Sequence, residues 1–213
     1  MTLRRKLHIW IGITAAAALV AAAMIAWVDQ PVAVLFKDNM SRVDALSRGL
    51  SSTVLITIEI AMMAVLAIVR IVRGEIPPLA RIVLIACCVS LCTFAVNDHV
   101  LKLIFGRPNP SDVLMGQIPP GFQFFQGSFR SSFPSGHMAM ACSFGMVVMR
   151  GSPRFTPWLE GLLALAAATL VVGDWHFVSD VIAGTFAGCL AGFWAWELWT
   201  LHMRHWAGSG ESR

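Results

Sequence analysis

Two short segments carry residue types that could do chemistry. One is Phe133-Pro134-Ser135-Gly136-His137; the other, His176-Phe177-Val178-Ser179-Asp180, begins 39 residues after His137. Ser135-Gly136-His137 lies where a loop enters an apolar stretch. The free backbone N–H groups of a helix start, together with the helix dipole, bind anions, typically phosphate. Gly136 lets the backbone approach closely, Ser135 adds a hydroxyl donor, and His137 is placed to give a proton. Alone, such a turn is also what an ordinary helix cap beside an incidental histidine looks like. His176 and Asp180 are four residues apart, so a helix starting near Asp174 sets them on one face. A carboxylate bonded to one imidazole nitrogen fixes the tautomer and leaves the other nitrogen as nucleophile or base. Alone, this spacing equally describes a helix-end ion pair; beside the Ser-Gly-His turn it describes a phosphate site. Lys102, Arg107 and Arg130 are the counter-charges for such a site. Lys102 also follows Asp98 by four residues, the spacing of a plain helical ion pair.

The chain around these groups is built for lipid. Of its 213 residues 57% are hydrophobic and 13% charged, and the mean hydropathy is +0.70. A soluble domain carries roughly 25% charged residues, so a soluble globular enzyme is excluded. The basic residues are scattered around apolar segments, so the net charge of +4 implies no nucleic-acid partner. The partner is the bilayer, where ionisable groups are expected to be functional. Cys87, Cys88, Cys92, Cys142 and Cys189 all lie in apolar stretches without zinc-site spacing, and read as small buried hydrophobes. No carboxylate cluster suggests a metal, and no cofactor is expected.

Six apolar stretches must position the site. They run over residues 8–28, 53–72, 81–103, 133–149, 158–172 and 177–199. The first is too long for a secretory signal and suits a retained span. Asp29 to Ser52 reads as a polar loop with room for a short amphipathic helix, 106–132 as a loop rich in Pro, Gly and Gln, and the end from His202 as a polar tail. The expectation is an all-α fold, a six-transmembrane-helix bundle in one membrane domain over 1–213. Its core covers about 53–200; residues 1–52 add the first helix and outer loop, and 201–213 a cytoplasmic tail. With six spans, Arg4, Arg5, Lys6, Arg70, Arg73, Arg81, Arg150, Arg154, Arg204 and Arg213 share the side of both termini. Lys37, Arg42, Arg48, Lys102, Arg107 and Arg130 share the other, and the last three belong to the candidate site. The positive-inside rule then makes both termini cytoplasmic and the site extracytoplasmic.

Other residues have two readings each. Glu59, inside the second span, is a functional suspect or a helix–helix bond. Asp98 and His99 shape a pocket floor or are structural, and Asp174 competes with Asp180 as the orienting acid. Phe122, Phe124, Phe125 and Phe129 line a lipid entrance or anchor the loop at the interface. Gly184, Gly188 and Gly192 repeat Gly-x-x-x-Gly and point to close helix packing.

In these motifs the chain resembles the type 2 phosphatidic acid phosphatase superfamily, which includes vanadium haloperoxidases. The family pattern is Lys-x6-Arg-Pro, then Pro-Ser-Gly-His, then Ser-Arg-x5-His-x3-Asp, and the likeness runs from the first span through Gly184. Pro134-Ser135-Gly136-His137 is complete; Lys102, His176 and Asp180 keep register. Both family arginine positions depart: Asn109-Pro110 stands at the first and Thr169-Leu170 at the third motif's Ser-Arg. The resemblance implies an integral membrane lipid phosphate phosphatase with catalytic His176, His137 and Asp180. It implies phosphate contacts from Lys102, Ser135 and Gly136, and a phosphohistidine intermediate without a metal. Arg107 and Arg130 are expected to supply the lost charges from shifted positions. Two alternatives stand beside this: a phosphotransferase passing the group to another acceptor, and a catalytically silent lipid-binding protein. Small size and short turns suggest a bacterial plasma membrane; the lipid and the oligomeric state are left open.

Overall fold

The computed structural model describes residues 2–37 and 51–210. These form α1 (Leu3–Trp27), α2 (Asp29–Phe36), α3 (Ser52–Arg73), α4 (Pro78–Val96), α5 (Lys102–Phe105), α6 (Pro110–Leu114), α7 (Gly136–Gly151), α8 (Thr156–Val172) and α9 (Val178–Gly210), with no strand among the described residues. Helix satisfies its own backbone, which lipid cannot do. Local signals set the ends. Thr2 and Ser51 cap α1 and α3 by accepting from the N–H groups of Arg5 and Val54. Gly74 stops α3 in the left-handed region, φ 76°, and Pro78 opens α4. The short α2 occupies the start of the stretch expected as loop. Residues 38–50 and 211–213, with Arg42, Arg48 and Arg213 of the charge count, lie outside the described residues.

The expectation of six spans needs correction. Five helices among the described residues are long and apolar enough to cross a membrane, those of α1, α3, α4, α8 and α9. The expected fourth span, α7, has only 16 residues, and nine of them are buried. A helix enclosed by α4, α8 and α9 meets protein rather than lipid, so it can be shorter and carry Ser143 and three glycines. It runs parallel to α9, from Ser135 beside Asp180 to Gly151 beside Trp196. The polar stretch from His202 continues α9 as helix as far as Gly210.

Three glycines set the central contact. A Cβ added at Gly184, Gly188 or Gly192 would stand 2.3, 2.5 or 2.6 Å from the carbonyl oxygens of Ser135, Ala139 and Ser143. The two backbones of α7 and α9 therefore touch along a full stripe, as the Gly-x-x-x-Gly repeat suggested. At the far end, Glu197 of α9 accepts from Lys6 of α1 and Arg150 of α7, joining three helices. The N-terminus and the α7–α8 turn thus share the end of the bundle opposite His137 and His176.

Replacing Gly188 by Val puts a branched side chain against the Ala139 carbonyl, and overpacking of this kind costs about 1–3 kcal/mol. The expected outcome is a lower thermal midpoint for Gly188→Val in detergent. Gly161→Ala, where a Cβ meets nothing within 4 Å, should match or exceed the native protein.

Candidate active site

α4 does not end at the site but widens there. Asn97–Leu101 forms a π-helical turn before α5, a device found often at functional sites. It buries Asn97 and Asp98 inward and leaves His99 exposed. The Asn97 side-chain amide donates to the Pro134 carbonyl at 3.1 Å. Asp98 lies so close to the turn that a Cβ on Gly136 would come within 3.1 Å of its Oδ1. Lys102 is buried, 2.7 Å from Asp98 Oδ1, and its ammonium also donates to the Phe129 carbonyl at 3.3 Å. The helical ion pair and a place beside the phosphate turn therefore coexist.

Ser135 is the N-cap of α7, and its Oγ accepts from the Met138 N–H at 3.5 Å. The hydroxyl proton remains available to an anion, beside the first N–H groups of the helix. The Ser135 N–H donates to the Asp180 carbonyl at 3.0 Å, which ties the turn to α9. The rings of His137 and His176 are 6.0 Å apart, centroid to centroid, and tilted by 68°.

His176 is not on a helix, contrary to the expected start near Asp174. It sits in the turn before α9, which begins at Val178. Asp180, fully buried, accepts from the Phe177 N–H at 2.9 Å and so caps its own helix. Its Oδ2 also accepts from Ser132 Oγ and stands 3.7 Å from His176 Nδ1. That separation is an ion-pair contact, longer than a hydrogen bond. His176 Nδ1 is buried and makes no hydrogen bond among the described residues. Catalytic contacts are often long before substrate binds.

The two arginines lie apart. Arg107 is 5% exposed and reaches behind Asp180. Its Nη1 donates to Asp180 Oδ1 at 2.7 Å and to Ser179 Oγ at 2.6 Å, and its Nη2 donates to Asp29 Oδ2 at 2.7 Å. Phe177 lies under the guanidinium at 4.1 Å and Phe122 at 5.2 Å. Its two terminal nitrogens are therefore each engaged by a carboxylate, with two aromatic rings nearby. Arg130 is exposed, with its guanidinium 5.8 Å from the Phe129 ring. Both arginines border a polar cavity of about 340 Å³ in the 106–131 loop, which also receives Gln117, Gln123 and Gln126. Neither histidine is among its lining residues. A second cavity, apolar and about 570 Å³, runs between α4 and α9 past Cys88, Cys92, Leu190 and Trp194 and reaches Asn97. Among the described residues no group of three or more His, Cys, Asp or Glu side chains could hold a metal ion.

The motif order, the paired imidazoles and the helical frame coincide with one family, whose profile, described as the PAP2 superfamily, matches residues 79–204. The chain belongs to the PAP2 superfamily. A search of curated proteins finds no match. Among solved structures the chain is similar to the transmembrane PAP2-type phosphatidylglycerolphosphate phosphatase from Bacillus subtilis. The identity is 16%, the TM-score 0.51, and the match covers 87% of this chain and 93% of that one. At that identity the likeness is one of fold.

Against the PAP2 motifs, sequence reasoning missed Asp29, Ser132 and Ser179. Asp29 is 1% exposed and accepts from Arg107 and from the Ser179 N–H and Oγ. Its one sequence signal is a carboxylate directly after the first apolar stretch, at the end where the site was expected. Ser132 and Ser179 had none, since serine beside a motif is ordinary loop composition.

Two outcomes follow for stability. Arg107→Ala leaves two buried carboxylates unpaired and should cost about 3–5 kcal/mol, whereas Arg130→Ala should stay within about 0.5 kcal/mol; denaturation of the two purified variants compares them. Burial pushes the Asp174 carboxyl up to about 6, above the unfolded value of about 3.9. The folded state then holds more protons in that window, so stability falls as pH rises from about 4 through 6. Asp174→Asn should flatten that slope in thermal midpoints taken at pH 5 and 7, and asparagine tolerates the φ of 56° at this position.

Proposed function

We propose that this protein is an integral membrane lipid phosphate phosphatase that works through a phosphohistidine on His176. The observation that carries the reading is the 6.0 Å approach of the His137 and His176 rings beside the capped Ser135-Gly136 turn. Superfamily membership and the phosphatase named above support the reaction class. The apolar cavity between α4 and α9 supports a lipid substrate. It passes Asn97, whose side chain bonds the Pro134 carbonyl of the turn, so a hydrocarbon chain in it would bring a headgroup phosphate toward the histidines.

Asp180 lies on the Nδ1 side of His176, so Nε2 is the nucleophile. Its lone pair forms the N–P bond as the P–O ester bond breaks. His137 gives a proton to the departing alkoxide. Lys102, Ser135 Oγ and the N–H groups at Gly136 take the charge of the phosphoryl oxygens, and the exposed Arg130 is a candidate contact for the outer headgroup. Water then attacks phosphorus, His137 takes its proton, and the N–P bond returns its electrons to the ring. All the groups in these steps are side chains or backbone of this chain, and the reaction needs no metal. The distribution of basic residues supports a cytoplasmic N-terminus and a site at the extracytoplasmic face, and the small size and short turns support a bacterial plasma membrane.

Phosphate release by the purified protein tests this on phosphatidate, phosphatidylglycerol phosphate, a polyprenyl diphosphate and lipid A. His176→Ala should remove turnover by at least about 10⁴-fold, and retained turnover would sink the assignment. His137→Ala should lower the rate by about 10²–10⁴-fold. A new phosphorylated lipid in place of free phosphate would mark the transferase.

A further inference from the structure

Asp29 takes no part in the steps above, yet a carboxylate is buried there at the mouth of a membrane bundle. We infer that Asp29 is a positioning residue for phosphoryl transfer: by pairing with the far side of Arg107 it leaves Asp180 the net negative charge that supports a positive His176. The inference rests on the phosphohistidine reading.

The charge count makes the case. Arg107 lies 2.7 Å from Asp180 and 2.7 Å from Asp29. Arg107 and Asp180 alone are a neutral pair, whose field at the imidazole largely cancels. An opposite charge within a few ångströms is what favours the imidazolium, and a neutral pair supplies little of it. With Asp29 on the other nitrogen, Asp29, Arg107 and Asp180 sum to one negative charge. Asp180 is the member that faces His176, at 3.7 Å. Asp29 acts on geometry as well, since it holds the Ser179 N–H at 3.0 Å and the Ser179 hydroxyl, one residue from Asp180 in the first turn of α9. It thereby links α2, which follows the first span, to the catalytic helix. The other charged or titratable groups around His176 are His137 on α7, Asp174 in its own turn, and Lys102 with Asp98 behind the Ser-Gly turn. Lys102 and Asp98 pair with each other at 2.7 Å, and His137 and Asp174 are common to every variant below, so Asp29 and Arg107 are the charges that the variants change.

The signs follow directly. Removing a negative charge disfavours the imidazolium, so its proton leaves at lower pH; removing the positive charge does the reverse. In full-length protein in detergent, the midpoint of pH-dependent C2-proton exchange at His176, read by mass spectrometry, should fall by about half a unit or more in Asp29→Asn. It should rise in Arg107→Gln and return to the native value in Asp29→Asn/Arg107→Gln. The acidic limb of kcat/KM on the best lipid of the panel should move in the same three directions. Asp29→Asn should lose about tenfold in kcat with KM within about threefold, because the positive charge on the ring develops in the transition state. Lower kcat with an unmoved exchange midpoint would make Asp29 purely structural and overturn the inference. So would a double variant that does not restore the midpoint. If Asp29→Asn fails to fold, the rise in Arg107→Gln and the restored double variant decide. A wild type inert on every lipid sinks the functional reading, while the exchange midpoints still judge the charge relation.

Discussion

The site depends on two helix backbones being allowed to touch. Ser135 at the start of α7 and Asp180 near the start of α9 come from segments more than forty residues apart, yet the Ser135 N–H bonds to the Asp180 carbonyl. Only glycine at 184, 188 and 192 permits that approach, since any Cβ would enter the facing carbonyls. The contact is driven by packing, because lipid tails are as apolar as the helix surfaces they border. Its consequence is spatial: the Ser-Gly-His turn and the histidine–carboxylate segment share one floor. α7 can be short because it is surrounded, and the shortness sets its N-terminus at the level of the start of α9.

Charge in a low-dielectric environment has to be paired or kept neutral. The bundle follows this at both ends. Glu197 gathers Lys6 and Arg150 at one end, and at the other Arg107 gathers Asp29 and Asp180. The second cluster differs in that its carboxylate is also the neighbour of an imidazole. Asp180 thus has four engagements: a helix cap, a serine hydroxyl, a guanidinium and the ion-pair contact to His176. Three hydrogen-bonding partners fix this carboxylate beside the ring of His176.

Much of this was legible from the residues. The apolar stretches, their Gly, Pro and Ser boundaries and the Gly-x-x-x-Gly stripe act through local geometry, so they read directly. The spacing of the Ser-Gly-His turn and the His176–Asp180 pair likewise marked them as parts of one site. The place of Arg107 was not legible. Arginine two residues from a family position reads as a shifted phosphate ligand, and nothing local tells which way five donors point. Asp29 was hidden for the same reason, since its partners lie 78 and 150 residues away in sequence. The π-turn at Asn97 and the true start of α9 also escaped, because both are decided by what packs against them.

The sequence by itself determined that this chain is a helical membrane protein with a phosphate-type turn and a histidine–carboxylate segment, because apolar length, helix caps and motif spacing are local properties. The tertiary structure alone decided which charge meets which. A buried ion takes the nearest counter-charge in space, and the crossing of α7 and α9 with α2 above them makes Asp29 and Asp180 the partners of Arg107.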